Sequence, residues 1–176
     1  VDAVSVRSDA PAIDLTAILD HQHSDSDRIQ VSTAPGTDGI VRRVEVRARE
    51  GGQNWVVFAL ANNTDDQLDR LIVAPHYRLV SSGLLWPDLG QSRIATITPS
   101  TGDRPERQES ATADVFQITL DPGAVITFVM ELRTDRLPQL YLWEPDAYKD
   151  KVNSFTLYQG IVIGISGLLA LVLTIL

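Results

Sequence analysis

The sequence predicts a mainly β chain, an antiparallel β-sandwich of jelly-roll-like form followed by a C-terminal transmembrane α-helix. Three observations predict it. Roughly eight short apolar or alternating segments recur between clusters of Gly, Pro, Asn and Asp, the punctuation of a sandwich or jelly roll rather than of βαβ units. No run of helical period and useful length lies between them. From Val152 to Leu176 no residue carries a charge, and about 20 apolar residues rising ~1.5 Å each cross a hydrocarbon layer ~30 Å thick.

Residues 1–27 are rich in Ala, Asp and Ser and read as an N-terminal extension, with a helical turn or short edge strand near 16–19. His21, His23, Asp25 and Asp27 read as a solvated loop: two His in H-x-H share a face only on a strand, and no third ligand is fixed by the spacing, so no metal site is assigned. Arg28 to Thr33 alternates. Ile40 to Arg49 sets Val44, Val46 and Ala48 on one face and Arg43, Glu45, Arg47 and Arg49 on the other, the period of a half-buried strand. Gly51-Gly52 turns the chain into Asn54–Ala61 (NWVVFALA), apolar enough for a central strand with Trp55 in the core. The segments 40–49 and 54–61 read as a hairpin.

Leu71 to Val80 contains Pro75, which donates no ladder hydrogen bond and so predicts an edge or a bulge. Leu84 to Leu89 is broken by Pro87, Arg93 to Thr98 alternates again, and 99–113 reads as a long polar surface loop. Val115–Leu120 and Val125–Leu132 flank the turn Asp121-Pro122-Gly123 as a second hairpin, and Gln139–Trp143 follows. Pro145 and Asp146 mark a helix start. The helix is expected to run from there into Leu157–Leu176, with Tyr148, Phe155 and Tyr158 near the water–lipid boundary. The organisation is an extension (1–27), a sandwich (28–144) and a juxtamembrane and transmembrane helix (145–176) expected to continue beyond the sequence.

The formal charge is −8, all of it in the first 151 residues. Such a body is repelled by phosphate backbones, so nucleic acid is not expected as a partner. The absence of cysteine excludes disulfides and thiolate chemistry. The chain opens on Val1 with no short apolar leader, so either a removed signal peptide or a start inside a longer protein is expected. Lys149 and Lys151 beside the span favour the cytoplasmic side for that flank, but two lysines with no far flank to compare decide nothing.

No G-x-S-x-G, H-E-x-x-H or phosphate-cradling Gly loop is present, and no catalytic residue, cofactor or enzymatic activity is assigned to the chain. Binding is better motivated. His76, Tyr77, Arg78, Trp86 and Asp88 fall near proline-broken strands, where aromatic rings and polar groups together suit a small ligand such as a carbohydrate. The competing reading puts Trp86 and Tyr77 in the core. Gly160-x-x-x-Gly164 suits close helix approach, in a homodimer or against later helices of the same chain.

The strand Trp55–Ala61 ends in Asn62. The run Leu120-Asp121-Pro122-Gly123-Ala124-Val125-Ile126-Thr127-Phe128 follows, then Leu140-Tyr141-Leu142-Trp143 before a helix with spaced glycines. This pattern, over about residues 28–176, resembles the periplasmic sensory domain and first membrane helix of bacterial seven-transmembrane receptors with diverse intracellular signalling modules. The resemblance implies an eight-stranded jelly roll akin to carbohydrate-binding modules, residues 1–150 in the periplasm of an inner-membrane receptor, and a cytoplasmic histidine kinase or cyclic-di-GMP enzyme outside this sequence. The alternative is a membrane-anchored structural or assembly sandwich that binds protein partners and no small ligand.

Overall fold

The computed structural model describes residues 1–79, 85–87, 92–110, 112–152 and 171–175, with the backbone alone for 77–79 and 85–87. Its strands in chain order are β1 (Ala3–Ser5), β2 (Ala12–Asp14), β3 (Asp20–His23), β4 (Arg28–Ser32), β5 (Arg43–Arg47), β6 (Asn54–Ala61), β7 (Leu68–Pro75), β8 (Tyr77–Leu79), β9 (Leu85–Pro87), β10 (Ile94–Pro99), β11 (Glu106–Gln108), β12 (Ala113–Leu120), β13 (Val125–Leu132) and β14 (Tyr141–Trp143). A 3-10 turn occupies Thr16–Ile18, and helix α1 covers 145–152. The described part is mainly β and antiparallel, as the punctuated pattern predicts.

Two five-stranded sheets carry the fold. In the first, the order is β1–β6–β13–β10, and β3 shares an edge of β6 with β1: β1 runs parallel along Ala59–Ala61 and β3 antiparallel along Asn54–Val57. The second sheet is ordered β11–β12–β7–β14–β2. From β6 onward the chain passes back and forth between them: β6 lies in the first, β7 in the second, β10 in the first, β11 and β12 in the second, β13 in the first and β14 in the second. Their facing sides share one core, in which Val56, Phe58, Leu60, Ile94, Phe128 and Met130 of the first sheet meet Ile72, Phe116, Ile118, Leu120 and Leu142 of the second. Phe58 and Phe128, directly opposite in register, stack at 5.3 Å.

Two further layers explain why the central strands are apolar on both faces. The β4–β5 ribbon lies over the outer side of the first sheet, packing Ile29, Val31 and Val46 on Trp55, Val57 and Val129. Strand β6 is thus covered from both sides, and the unbroken NWVVFALA follows from that. On the second sheet, Leu71, Val73, Ala113 and Val115 pack with Trp143 and with Tyr148 of α1.

Neither expected hairpin forms: the turn at 121–124 joins β12 and β13 in different sheets, and 40–49 does not pair with 54–61. β5 pairs with β4 (Val46 opposite Ile29, Val44 opposite Val31), and the loop 49–53 carries the chain from the outer ribbon down to the first sheet. That loop is held by Glu131, a fully buried carboxylate that accepts the main-chain N–H groups of Arg49 (2.8 Å), Glu50 (3.0 Å) and Gly52 (2.9 Å). Gly52 serves this grip, while Gly51 turns the chain at a φ of +69°. A Cβ on Gly52 would stand 2.9 Å from Glu131 Cγ and 3.0 Å from Leu132 O. Gly52→Ala is therefore expected to destabilise the domain by about 2 kcal/mol, the usual cost of overpacking a close contact, read as a lower urea midpoint of the full chain.

Residues 1–27, expected as an extension, are built into both sheets through β1, β2 and β3, and Val6 and Leu15 enter the shared core. Pro75 ends β7 opposite Ala113, past Val73, where the pairing of β7 with β14 ends; β7 is an inner strand between β12 and β14 rather than the edge strand expected, and only this end of it lacks a neighbour on one side. The loop 99–113 contains the short strand β11. Glu144 caps α1, its carboxylate accepting from the N–H groups of Asp146 (3.2 Å) and Ala147 (3.1 Å), so the start expected at Pro145 is observed.

Among the described residues no helix is long and apolar enough to cross a membrane. Of the expected span only 171–175 is described; it is helical, with Leu171, Val172, Leu173 and Ile175 exposed. Gly160 and Gly164 lie outside the described residues.

Candidate functional site: a polar cleft around Asp114

Alternation along β7 and β12 places one polar residue from each strand at the same end of the sandwich core. Leu68, Ile72 and Ala74 face inward, and His76 continues that row beyond Pro75. On β12, Phe116, Ile118 and Leu120 face inward and Asp114 completes the row. Asp114 is 3 % exposed. A carboxylate so buried needs several donors, and it has them. Its Oδ2 accepts from the N–H groups of Arg93 (2.6 Å) and Ile94 (3.1 Å), and its Oδ1 from the Ser92 hydroxyl (2.7 Å) and the Arg107 guanidinium (3.2 Å).

Arg107 reaches across the sandwich. It projects from β11 of the second sheet, passes over the Phe116 ring at 4.6 Å, and donates to Ile94 O (2.6 Å) and Ala95 O (3.3 Å) of β10 in the first. The His76 ring approaches the same carboxylate oxygen, with Nε2 3.4 Å from Oδ1 and without a hydrogen bond at that nitrogen; its main-chain N–H is held by Thr112 O at 2.9 Å. His76, Ser92, Arg107, Gln108, Glu109 and Asp114 line a cleft of about 300 Å³ open to solvent. Hydroxyl, amide, imidazole, guanidinium and carboxylate groups border it, donors and acceptors for a polar ligand.

Of the residues expected to bind ligand, His76 borders this cleft. Tyr77 and Arg78 follow it directly in β8, where Tyr77 pairs with Pro87 and Arg78 with Trp86 of β9, so Tyr77 and Arg78 adjoin His76 in sequence and Trp86 joins them through the register of the two strands. Asp88 lies outside the described residues. Sequence reasoning missed Asp114 and Arg107. The signal for Asp114 was present: an aspartate on the inward row of an apolar strand is a buried charge, and a buried charge needs partners. Arg107 stands in a polar stretch and nothing distinguishes it there.

The C-terminal end of β13, beside Ile94 and Ala95, also borders a second recess, of about 340 Å³, lined by Glu50, Gly52, Asn54, Glu131 and Arg133 among others. Its charges are internally matched: Arg133 clasps Glu50 through two hydrogen bonds (2.8 and 2.9 Å), and the bond from Arg133 holds the Glu50 carboxyl below its ordinary range. The His21–Asp27 segment is partly strand. His23 bonds Asn54 (3.1 Å) and Asp25 (2.9 Å), and these bonds, Asn54 first, raise its pKa above the ordinary histidine value. Among the described residues no group of three or more His, Cys, Asp or Glu is placed to hold a metal ion.

The family model described as 7TMR-DISM extracellular 2 matches residues 49–144. The chain belongs to that family. No curated protein and no solved structure matches it. The matched stretch of this 7TMR-DISM extracellular 2 chain opens in the loop gripped by Glu131 and closes on Glu144, the cap of α1, so it contains the whole cleft around Asp114. It leaves β1 to β5 in front, although β1, β2 and β3 complete the edges of the two sheets. Membership makes the β-rich body an extracellular, sensory segment of a membrane receptor.

Proposed function

We propose that the domain senses a small hydroxyl-rich ligand, a carbohydrate or a related metabolite, in the cleft bordered by His76, and that ligand state passes through α1 to a span within 153–176 in the bacterial inner membrane. The observation that carries this reading is the strand connection. β7 ends at Pro75, beside His76, pairs along Leu71–Val73 with β14, and β14 leads one residue later into α1. At that junction Trp143 lies against Tyr148 at 5.8 Å between ring centroids, with the Lys151 ammonium 4.7 Å above its ring. A displacement of β7 at the cleft is thus one hydrogen-bonded neighbour away from the helix. The two facing sheets, together with the jelly roll akin to carbohydrate-binding modules that the family resemblance implies, support the ligand class. The chain is read as non-catalytic, with no cofactor, and the output as a histidine kinase or cyclic-di-GMP module elsewhere in the receptor; Gly160 and Gly164 would pack its helix in a homodimer or against later helices.

Signalling requires that the ligand bind two conformations unequally. Isothermal titration of the full chain in nanodiscs against a panel of glycans and small metabolites tests the reading. Binding of at least one compound is expected, weakened about tenfold or more in His76→Ala, the loss of roughly one hydrogen bond to a buried partner. Heat from no compound overturns it. One observation favours the second reading, a structural or assembly domain. Both terminal nitrogens of Arg107 are engaged within the fold, so the cation nearest the cleft joins the sheets instead of facing a ligand. Crosslinking that traps a protein over the cleft while no small molecule binds would select that reading.

A further inference from the structure

We propose that the tip of the β4–β5 ribbon, at Ile40 and Val41, docks into the anionic phospholipid surface of the bilayer that holds the receptor. Ile40 and Val41 are 52 % and 53 % exposed, more than any other large hydrophobic residue among the described residues outside 171–175. They are held there by an ordered turn. Gly39 takes a φ of +73°, Ile40 N–H donates to Asp38 Oδ1 (3.0 Å), Gly36 N–H to Ile40 O (3.3 Å), and Arg42 closes the turn onto Asp38 at 2.8 Å. At the base, Ala34 N–H is fixed to Thr127 Oγ1 (2.9 Å) on the first sheet. Side chains kept in water by this many contacts are presented, not merely left over.

The ribbon that carries the tip is cationic. Residues 28–49 hold five arginines against Asp38 and Glu45, a net +3 in a chain of −8, so the remaining residues carry −11. On the exposed face of the ribbon Arg28 stands directly opposite Arg47, a like-charge pair that costs stability. Glu45 offsets it by bonding Arg28 (3.1 Å), and Arg43 and Arg47 remain exposed. Two aliphatic side chains on a convex turn are too small for a stable protein interface, which takes about 800 Å² from each partner. An apolar tip with Arg42 and Arg43 beside it and Arg47 farther along the same ribbon instead matches the headgroup boundary of an anionic bilayer. The acidic remainder is repelled by that surface, so the charge asymmetry turns the ribbon toward it. Such contact is weak for a free domain and effective for a tethered one.

This inference rests on the membrane anchoring proposed above, and the experiment separates the two. Because the chain has no cysteine, a single Ile40→Cys carries an environment-sensitive fluorophore, with Asp135→Cys, beyond the other end of β13, as reference. The full chain is placed in nanodiscs of phosphatidylcholine with or without phosphatidylglycerol. Co-elution with the discs reports the anchor, and iodide quenching reports the tip. The label at residue 40 is expected to be shielded and blue-shifted only with phosphatidylglycerol. Arg43→Gln with Arg47→Gln should lower the bound-to-free ratio about 30-fold, since each basic residue near an anionic surface is worth roughly a factor of five. Equal quenching at 40 and 135 overturns the proposal, as does shielding without phosphatidylglycerol or shielding that rises with protein concentration and so reports a second copy. A chain that does not co-elute refutes the anchor alone; the tip is then read on phosphatidylglycerol vesicles, where an unshielded label again overturns it.

Discussion

Asp114→Ala is expected to cost about 3–4 kcal/mol of folding stability, because it removes a buried carboxylate and leaves two buried main-chain donors unpaired, each worth roughly 1–3 kcal/mol. The truncation leaves the N–H groups of Arg93 and Ile94 without their acceptor and takes one bond from the Arg107 guanidinium. Asp114→Asn should fall between the two, at about 2 kcal/mol, since its oxygen still accepts while its NH₂ faces one of the former donors. Urea titration of the full chain in detergent, followed by tryptophan fluorescence, reads both. Trp55 is completely buried and reports the first sheet. Equal stability of all three proteins would show that Asp114 does not hold the sheets together at this end.

Asn62 should be nearly as costly, at the opposite end of β6. It is fully buried, and its side chain makes four bonds: Nδ2 donates to Asp66 O (2.8 Å) and Leu120 O (2.9 Å), and Oδ1 accepts from the N–H (3.0 Å) and hydroxyl (2.7 Å) of Thr64. Its main chain exchanges bonds with Ala124 O and Gly123 N–H. One residue therefore ties the β6–β7 turn to the β12–β13 turn. Asn62→Ala is expected to lose about 3 kcal/mol, the cost of leaving such buried groups unmade. Asn62→Asp should lose more than alanine, because the new carboxylate would point its charge at the two carbonyls that Nδ2 served. An aspartate variant more stable than the alanine variant would contradict this geometry.

How far the fold could be read from residues alone follows from what each pattern encodes. The run NWVVFALA announced a strand with no water-facing side, and Trp55, Phe58 and Leu60 are buried. The alternation of 43–47 was equally legible, but alternation names a face and not a partner. Val44 and Val46 fit a neighbour in the same sheet and a layer beneath equally well, and Gly51-Gly52 pointed to the wrong choice because glycine also serves close approach. Glu131 settles the matter, and nothing local to residues 49–53 signals a carboxylate so far along the chain. The small polar segments before residue 28 hide their strands because β1, β2 and β3 are edge pieces three or four residues long, held mainly by main-chain pairing. At the cleft, His76 was legible from the proline-broken strand beside it. Arg107 was not, since its role depends on carbonyls of the opposite sheet.

The outermost neighbour of β14 is β2, so residues 12–14 have no ladder to join until residues 141–143 exist. During synthesis and export, one of the earliest segments to emerge must wait, with its amide groups solvated, for almost the last one of the domain. The second sheet closes only as α1 is being delivered. Maturation of the sensor is therefore timed to the arrival of the connecting helix, and a chain interrupted anywhere before Tyr141 would leave that margin open for capture by a chaperone or by another unfinished copy.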